Sequence, residues 1–182
     1  SYITIDASTK PQQTIGKNFF FTVDEMDPAA EAVHGFSLEK LYDLSNGQYI
    51  EDLIEEFIND FSEADFVIGH NVNFDVRFLK LELEAMGIDY EPKNMFCTMQ
   101  YYRDICKILR PSGDYKNPKL EEVINFLGIT KDQISSKADE LFQGSGDYHD
   151  ARFDTAATYL LIIEGLKKGY IPRGYFSKKL LN

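Results

Sequence analysis

Gly69-His70-Asn71-Val72-Asn73-Phe74-Asp75 follows the apolar run Asp65-Phe66-Val67-Ile68 and precedes a stretch of helical periodicity. The run reads as a short strand buried on both faces, and Asp75 to Met86 reads as a helix closed by Gly87. A strand end that opens into a helix start is where ligands gather in layered α/β proteins. There the helix dipole favours an ionised carboxylate at Asp75, the form that binds a hard cation. The same residue types also serve as ordinary turn and capping groups, so Asn71, Asn73 and Asp75 admit both uses.

Working outward, Tyr2-Ile3-Thr4-Ile5-Asp6 and Phe19-Phe20-Phe21-Thr22-Val23 read as two strands of a hairpin within residues 1–24, with Pro11 and Gly16 between them. Ile50, Leu53, Ile54, Phe57, Ile58 and Phe61 fall on one face of a helix that begins near Tyr49. Thr98 to Leu109 reads as a helix halted before Pro111. Asn117-Pro118 is expected to cap and open a helix that Gly128 closes. Asp150 is expected to cap a last long helix running to Gly169, and Tyr170 to Asn182 reads as a basic, aromatic tail that ends in solvent or touches nucleic acid. Early strands followed by strand-helix alternation give an α/β layer with helices on both faces, and no linker divides the chain, so residues 1–182 are read as a single domain.

Composition narrows the function. A 182-residue chain that is 43% hydrophobic can bury a core, and it holds no apolar run long enough to span a bilayer. A soluble, cytoplasmic protein with no membrane partner is expected. Cys97 and Cys106 form neither a disulfide framework nor a zinc spacing. The net charge of -11 argues against a protein that coats duplex phosphates, and any nucleic acid must be gripped locally.

A second string, His149-Asp150-Ala151-Arg152-Phe153-Asp154, precedes the apolar part of the last helix. Two residues five apart on an ideal helix diverge by about 140°, so His149 and Asp154 converge only if His149 lies on the preceding loop. From a loop, histidine could reach over a metal held by Asp154 and take a proton near neutral pH. A solvated loop histidine and a surface aspartate are the plainer alternative. A third string holds Asp27-Pro28 and His34-Gly35, with Ser37 offering a cap afterwards; a loop and a short helix without chemistry would read the same way.

Taken in order, these strings resemble the DEDDh-type 3′-to-5′ exonucleases, the family that includes the proofreading epsilon subunit of DNA polymerase III. The resemblance runs from about Phe19 to Leu166 through Asp27-Pro28, His34-Gly35, His70 to Leu79 (HNxxFDxxFL), Cys97-Thr98-Met99, Lys119-Leu120-Glu121-Glu122-Val123 and His149 to Asp154 (HxxxxD). It implies a ribonuclease H-like mixed sheet flanked by helices. It further implies Asp75 and Asp154 as ligands of two Mg²⁺ or Mn²⁺ ions and His149 as general base. His34, Gly35, Asn71 and Phe74 would lie beside the terminal nucleotide. The implied partners are single-stranded 3′ ends, DNA ahead of RNA, and a DNA polymerase or other replication protein.

One family element is not evident: the first strand with Asp-x-Glu. Asp6-Ala7-Ser8 has serine where the glutamate belongs, so the hairpin aligns with the family's second and third strands and Asp6 becomes a surface residue at a strand end. The expectation is that the natural protein has residues before Ser1, with the first central strand missing or truncated here, and that this chain alone has little exonuclease activity. The alternative is an inactive exonuclease-like domain that binds other proteins.

Overall fold

The computed structural model describes residues 1–9, 11–144 and 150–179. β1 (Tyr2–Asp6) pairs antiparallel with β2 (Gln13–Lys17), and β3 (Val67–Gly69) pairs parallel with β4 (Met95–Cys97). Parallel strands need a long crossover. It is supplied by α4 (Val72–Ala85), whose backbone ends in the left-handed Gly87. The architecture is mixed α/β of the ribonuclease H-like kind, with two small sheets of two strands each among the described residues.

The hairpin lies between helices. Side chains alternate across a strand, so Tyr2 and its opposite Lys17 share one face while Ile3 and Gly16 share the other. On the first face stands α3 (Ile50–Glu63), where the Asp60 carboxylate accepts from the Tyr2 hydroxyl at 2.6 Å and pairs with Lys17 Nζ at 2.6 Å. On the other stands α7 (Lys131–Phe142): a Cβ on Gly16 would sit 2.6 Å from the Leu141 carbonyl oxygen, so only glycine permits this approach.

The second strand of the hairpin is Gln13–Lys17, not Phe19–Val23. The physical reason is local. The Asp6 side chain accepts from the Ser8 backbone N–H at 2.8 Å, an Asx-type turn that reverses the chain early and brings Gln13 opposite Asp6. Phe19 and Phe21 pack instead on Phe57 of α3, with ring centroids 5.6 and 6.2 Å away.

The main core is helical. α5 (Thr98–Cys106), α6 (Leu120–Leu127), α7 and α8 (Ala151–Lys167) bury Tyr102, Val123, Leu127, Ile134, Ala138, Phe153 and Leu161 together. Ala156 and Ala157 of α8 are fully buried, and their small side chains let α6 and α7 approach closely. Sequence periodicity does not single out α7. Its signal is the capping box at its start, where Thr130 N–H donates to Gln133 Oε1 at 2.8 Å and Gln133 N–H to Thr130 Oγ1 at 3.3 Å.

Several element ends differ from the sequence reading. β3 is half-buried and three residues long, and α4 starts at Val72 rather than Asp75. α5 ends at Cys106 because Lys107 turns left-handed and Leu109 then bridges to Tyr115. α6 starts at Leu120, its first turn closed by Lys119 N–H donating to Glu122 Oε2 at 2.7 Å. The C-terminal segment is no solvated tail: Ile171 is fully buried, and Tyr175 and Phe176 of α9 (Tyr175–Lys179) lie 5.2 and 5.3 Å from the Phe96 ring. No helix among the described residues is long and apolar enough to cross a membrane.

Gly165 packs directly against Tyr102, leaving no room for a side chain. A Cβ at Gly165 would stand 2.3 Å from the Tyr102 hydroxyl, itself buried without a hydrogen-bond partner among the described residues. Gly165→Ala should therefore cost about 1–3 kcal/mol by overpacking. Tyr102→Phe should recover much of that cost in the double variant, as read from urea midpoints; equal penalties in both backgrounds would mean the clash is relieved elsewhere.

Candidate functional site

Asp75 lies in the first turn of α4, and Asn71, in the left-handed conformation at φ 76, caps that helix without a side-chain bond. Asp75 keeps solvent access, yet protein crowded around its carboxyl raises its pKa, opposed in part by its own backbone N–H. Phe74, beside it, is 57% exposed.

Asp154 occupies the first turn of α8 and is half-buried. The turn is well built: Asp150 caps it by accepting from Arg152 N–H at 2.9 Å, and Arg152 returns two guanidinium bonds to the same carboxylate at 3.0 and 2.7 Å. Burial pushes the Asp150 carboxyl up, but these bonds outweigh it and hold the pKa below the ordinary value. His149 lies outside the described residues.

Ser1 links the two aspartate-bearing turns. Its carbonyl accepts from Thr155 Oγ1 at 3.3 Å, and its backbone nitrogen lies within electrostatic reach of both Asp150 and Asp75. The first turns of α4 and α8 thus border one place in the fold.

The third string approaches from the side. His34 ends α1 (Pro28–His34), which Asp27 caps, and its Nδ1 accepts from Phe36 N–H at 3.0 Å. Gly35 follows at φ 72, and α2 (Leu38–Ser45) starts from its Ser37 cap. The Phe36 ring lies tilted against Phe20, centroids 5.5 Å apart, and Phe20 carries the Arg152 guanidinium at 5.8 Å. Arg152 therefore joins the His34-Gly35 turn to the start of α8. Among the described residues no group of three His, Cys, Asp or Glu side chains converges as a ligand set.

No family model matches the sequence. Comparison with curated proteins finds DNA polymerase III PolC-type of Thermotoga maritima, 29% identical over 126 residues, 69% of this chain and 8% of that protein. It also finds the 3′-5′ exonuclease DinG of Staphylococcus haemolyticus, 27% identical over 125 residues, 69% of the chain and 12% of the relative. The DNA polymerase III subunit epsilon of Salmonella typhimurium is 34% identical over 85 residues, 45% of the chain and 33% of the relative. The chain is thus similar to proteins named as exonucleases and as DNA polymerase III subunits, a likeness that supports a DEDDh exonuclease-like family. It covers a third or less of the length of each of these proteins.

Within this exonuclease-like chain, one residue of the HNxxFD string has a part that spacing alone did not reveal. His70 lies 2.9 Å through Nδ1 from Thr98 Oγ1 and 3.0 Å through Nε2 from the Pro118 carbonyl oxygen. A carbonyl can only accept, so Nε2 carries the hydrogen and Nδ1 accepts from the threonine hydroxyl. One imidazole thereby ties the end of β3 to the start of α5 and to the segment before α6. Its partners stand 28 and 48 residues away, so no local pattern reports them.

Burial lowers the His70 pKa below 6.5, and the Pro118 carbonyl offsets this only in part. Between the two values the unfolded chain binds a proton that the folded chain refuses. Stability is then full above pH 6.5 and falls as the pH drops from there toward the folded-state pKa. Urea midpoints of the protein should decline as the pH falls below about 6.5, and less so for His70→Gln. Parallel profiles for the two proteins would remove this histidine from the account.

Proposed function

We propose that this chain is a single exonuclease-like domain, residues 1–182, whose α4 and α8 first turns form part of a metal-dependent site for hydrolysing phosphodiester bonds at single-stranded 3′ ends, DNA before RNA. The observation that carries the reading is that the Asp75 turn and the Asp154 turn border the same place, around Ser1. Proteins named as exonucleases and as polymerase III subunits among the relatives support it.

The donor chemistry suits Mg²⁺ or Mn²⁺. Hard divalent ions take oxygen ligands, and Mg²⁺ is commonly held by one or two carboxylates, with water and substrate phosphate completing its shell. Asp75 and Asp154 would be those carboxylates. Two bound ions supply charge that acidifies a water and stabilises the attacking and leaving oxygens. The protein's own residues do the rest: His149 takes a proton from the attacking water, and Asn71, Phe74, His34 and Gly35 line the seat of the terminal nucleotide. Arg152 couples that seat to α8, so nucleotide binding and the Asp154 turn are held as one unit.

A second reading has a specific basis in Asp6-Ala7-Ser8, where no paired carboxylates occur. An inactive exonuclease-like domain that docks on a polymerase or another replication protein would retain the fold without the chemistry.

The deciding experiment incubates the natural full-length polypeptide with a 5′-labelled oligonucleotide and Mg²⁺ or Mn²⁺. Stepwise shortening from the 3′ end is expected, abolished by EDTA and reduced at least 100-fold, on the order of a lost metal ligand, by Asp154→Ala or Asp75→Ala. Absence of shortening, or shortening indifferent to both substitutions, would favour the non-catalytic reading.

A further inference from the structure

α4 is apolar on two faces. Val72, Val76 and Leu83 are buried, whereas Phe74, Phe78 and Leu81 are 57%, 50% and 50% exposed. At about 100° per residue, the exposed three fall within about 60° of one another and point away from the buried three. The Phe74 and Phe78 rings touch, their centroids 4.7 Å apart and their planes inclined at 50°.

The flanks of this stripe differ in charge. Beside the rings Asp75 lies on one side, with Glu82 further along it; Arg77 lies on the other, exposed and without an ion pair among the described residues, with Glu84 two turns beyond it. Lys80, the next cation on the helix, is engaged by Glu91. Single exposed apolar residues are ordinary on a protein surface. Two touching aromatic rings beside one unpaired arginine, in a chain of net charge -11, form a local combination suited to single-stranded nucleic acid.

We infer that Phe74, Phe78 and Arg77 make a stacking platform for single-stranded nucleic acid, with Phe78 under the second base from the 3′ end and Arg77 on the phosphate that follows. The assignment rests on the exonuclease reading for its polarity, since Asp75 marks where the terminal phosphodiester lies. The touching rings form one continuous apolar surface, 4.7 Å between centroids, over which the last two bases can lie. The platform accepts any base sequence, because every base presents a π-face. It requires two or more unpaired nucleotides, so a blunt duplex end must fray before it is seated.

The test measures binding apart from cleavage. Fluorescence anisotropy of the full-length protein with a labelled oligothymidylate in EDTA should show about 5- to 100-fold weaker binding for Phe78→Ala and near-native binding for Phe78→Tyr. Arg77→Gln should weaken binding and reduce the dependence on salt by about one ion. An abasic residue at the second position from the 3′ end should weaken wild-type binding and leave Phe78→Ala unaffected. Equal affinity of Phe78→Ala and wild type, or an abasic effect that persists in Phe78→Ala, overturns the platform. So does a Phe78→Ala change confined to self-association in sedimentation, which would assign the stripe to a second copy. Degradation in Mg²⁺ is scored separately: cleavage with Phe78-independent binding sinks the platform alone, and Phe78-dependent binding without cleavage sinks the exonuclease reading alone.

Discussion

His70 is hydrogen-bonded through both ring nitrogens to groups that belong to different parts of the chain, and the order of the candidate site depends on that clamp. The imidazole follows β3 directly and precedes the α4 turn that carries Asn71, Phe74 and Asp75. Thr98, fully buried at the start of α5, and Pro118, at the approach to α6, fix its orientation. Burial favours the neutral form of this half-buried imidazole, in which Nδ1 accepts from Thr98; the same hydroxyl also lies 3.3 Å from the Gly69 carbonyl oxygen, so Thr98 ties β3 to α5 in its own right. The clamp therefore sets the tautomer, the loop path and the direction in which α4 departs.

Beyond this clamp, the weight of the structure rests on helices. β3 and β4 contribute three residues each, too few to carry a core by themselves. α5, α6, α7 and α8 do so, with Phe153 buried one residue before Asp154. This adjacency has a functional consequence: the residue next to the candidate ligand is locked in the core, so the carboxylate is presented from a rigid turn rather than a mobile loop. On its other side, Asp150 and Arg152 bind each other and reach Phe20 and Phe36, which tie the turn to His34 and Gly35.

Electrostatics sets how such a site can meet a polyanion. A chain with 30 acidic and 19 basic residues repels phosphate over most of its surface. Binding must then come from stacking, from isolated cations and from metal ions, all of short range. The arrangement on α4, with an aspartate on one flank of an aromatic stripe and an arginine on the other, meets that constraint within about two helical turns. On the stacking proposal, such a surface would take strand ends ahead of duplex interiors, since only unpaired bases can offer their faces to the rings.

The strings that carry the family resemblance, HNxxFD above all, were legible because each is local: glycine after a strand, an aspartate in a first turn, a cap before a helix. So were α3, the Asp150 cap and the apolar side of α8, which follow from periods of 3.6 residues and from capping chemistry. Sequence by itself determined the element types around Asp75 and Asp154 and carried the resemblance to exonucleases. Tertiary structure decided what distance along the chain concealed. The Asx turn at Asp6 outcompeted the β-propensity of Phe19 to Val23, the aromatic tail found the Phe96 pocket, and His70 found partners 28 and 48 residues away. Local residue preferences are written in neighbouring positions, whereas burial and hydrogen-bond pairing are settled only when separate segments meet.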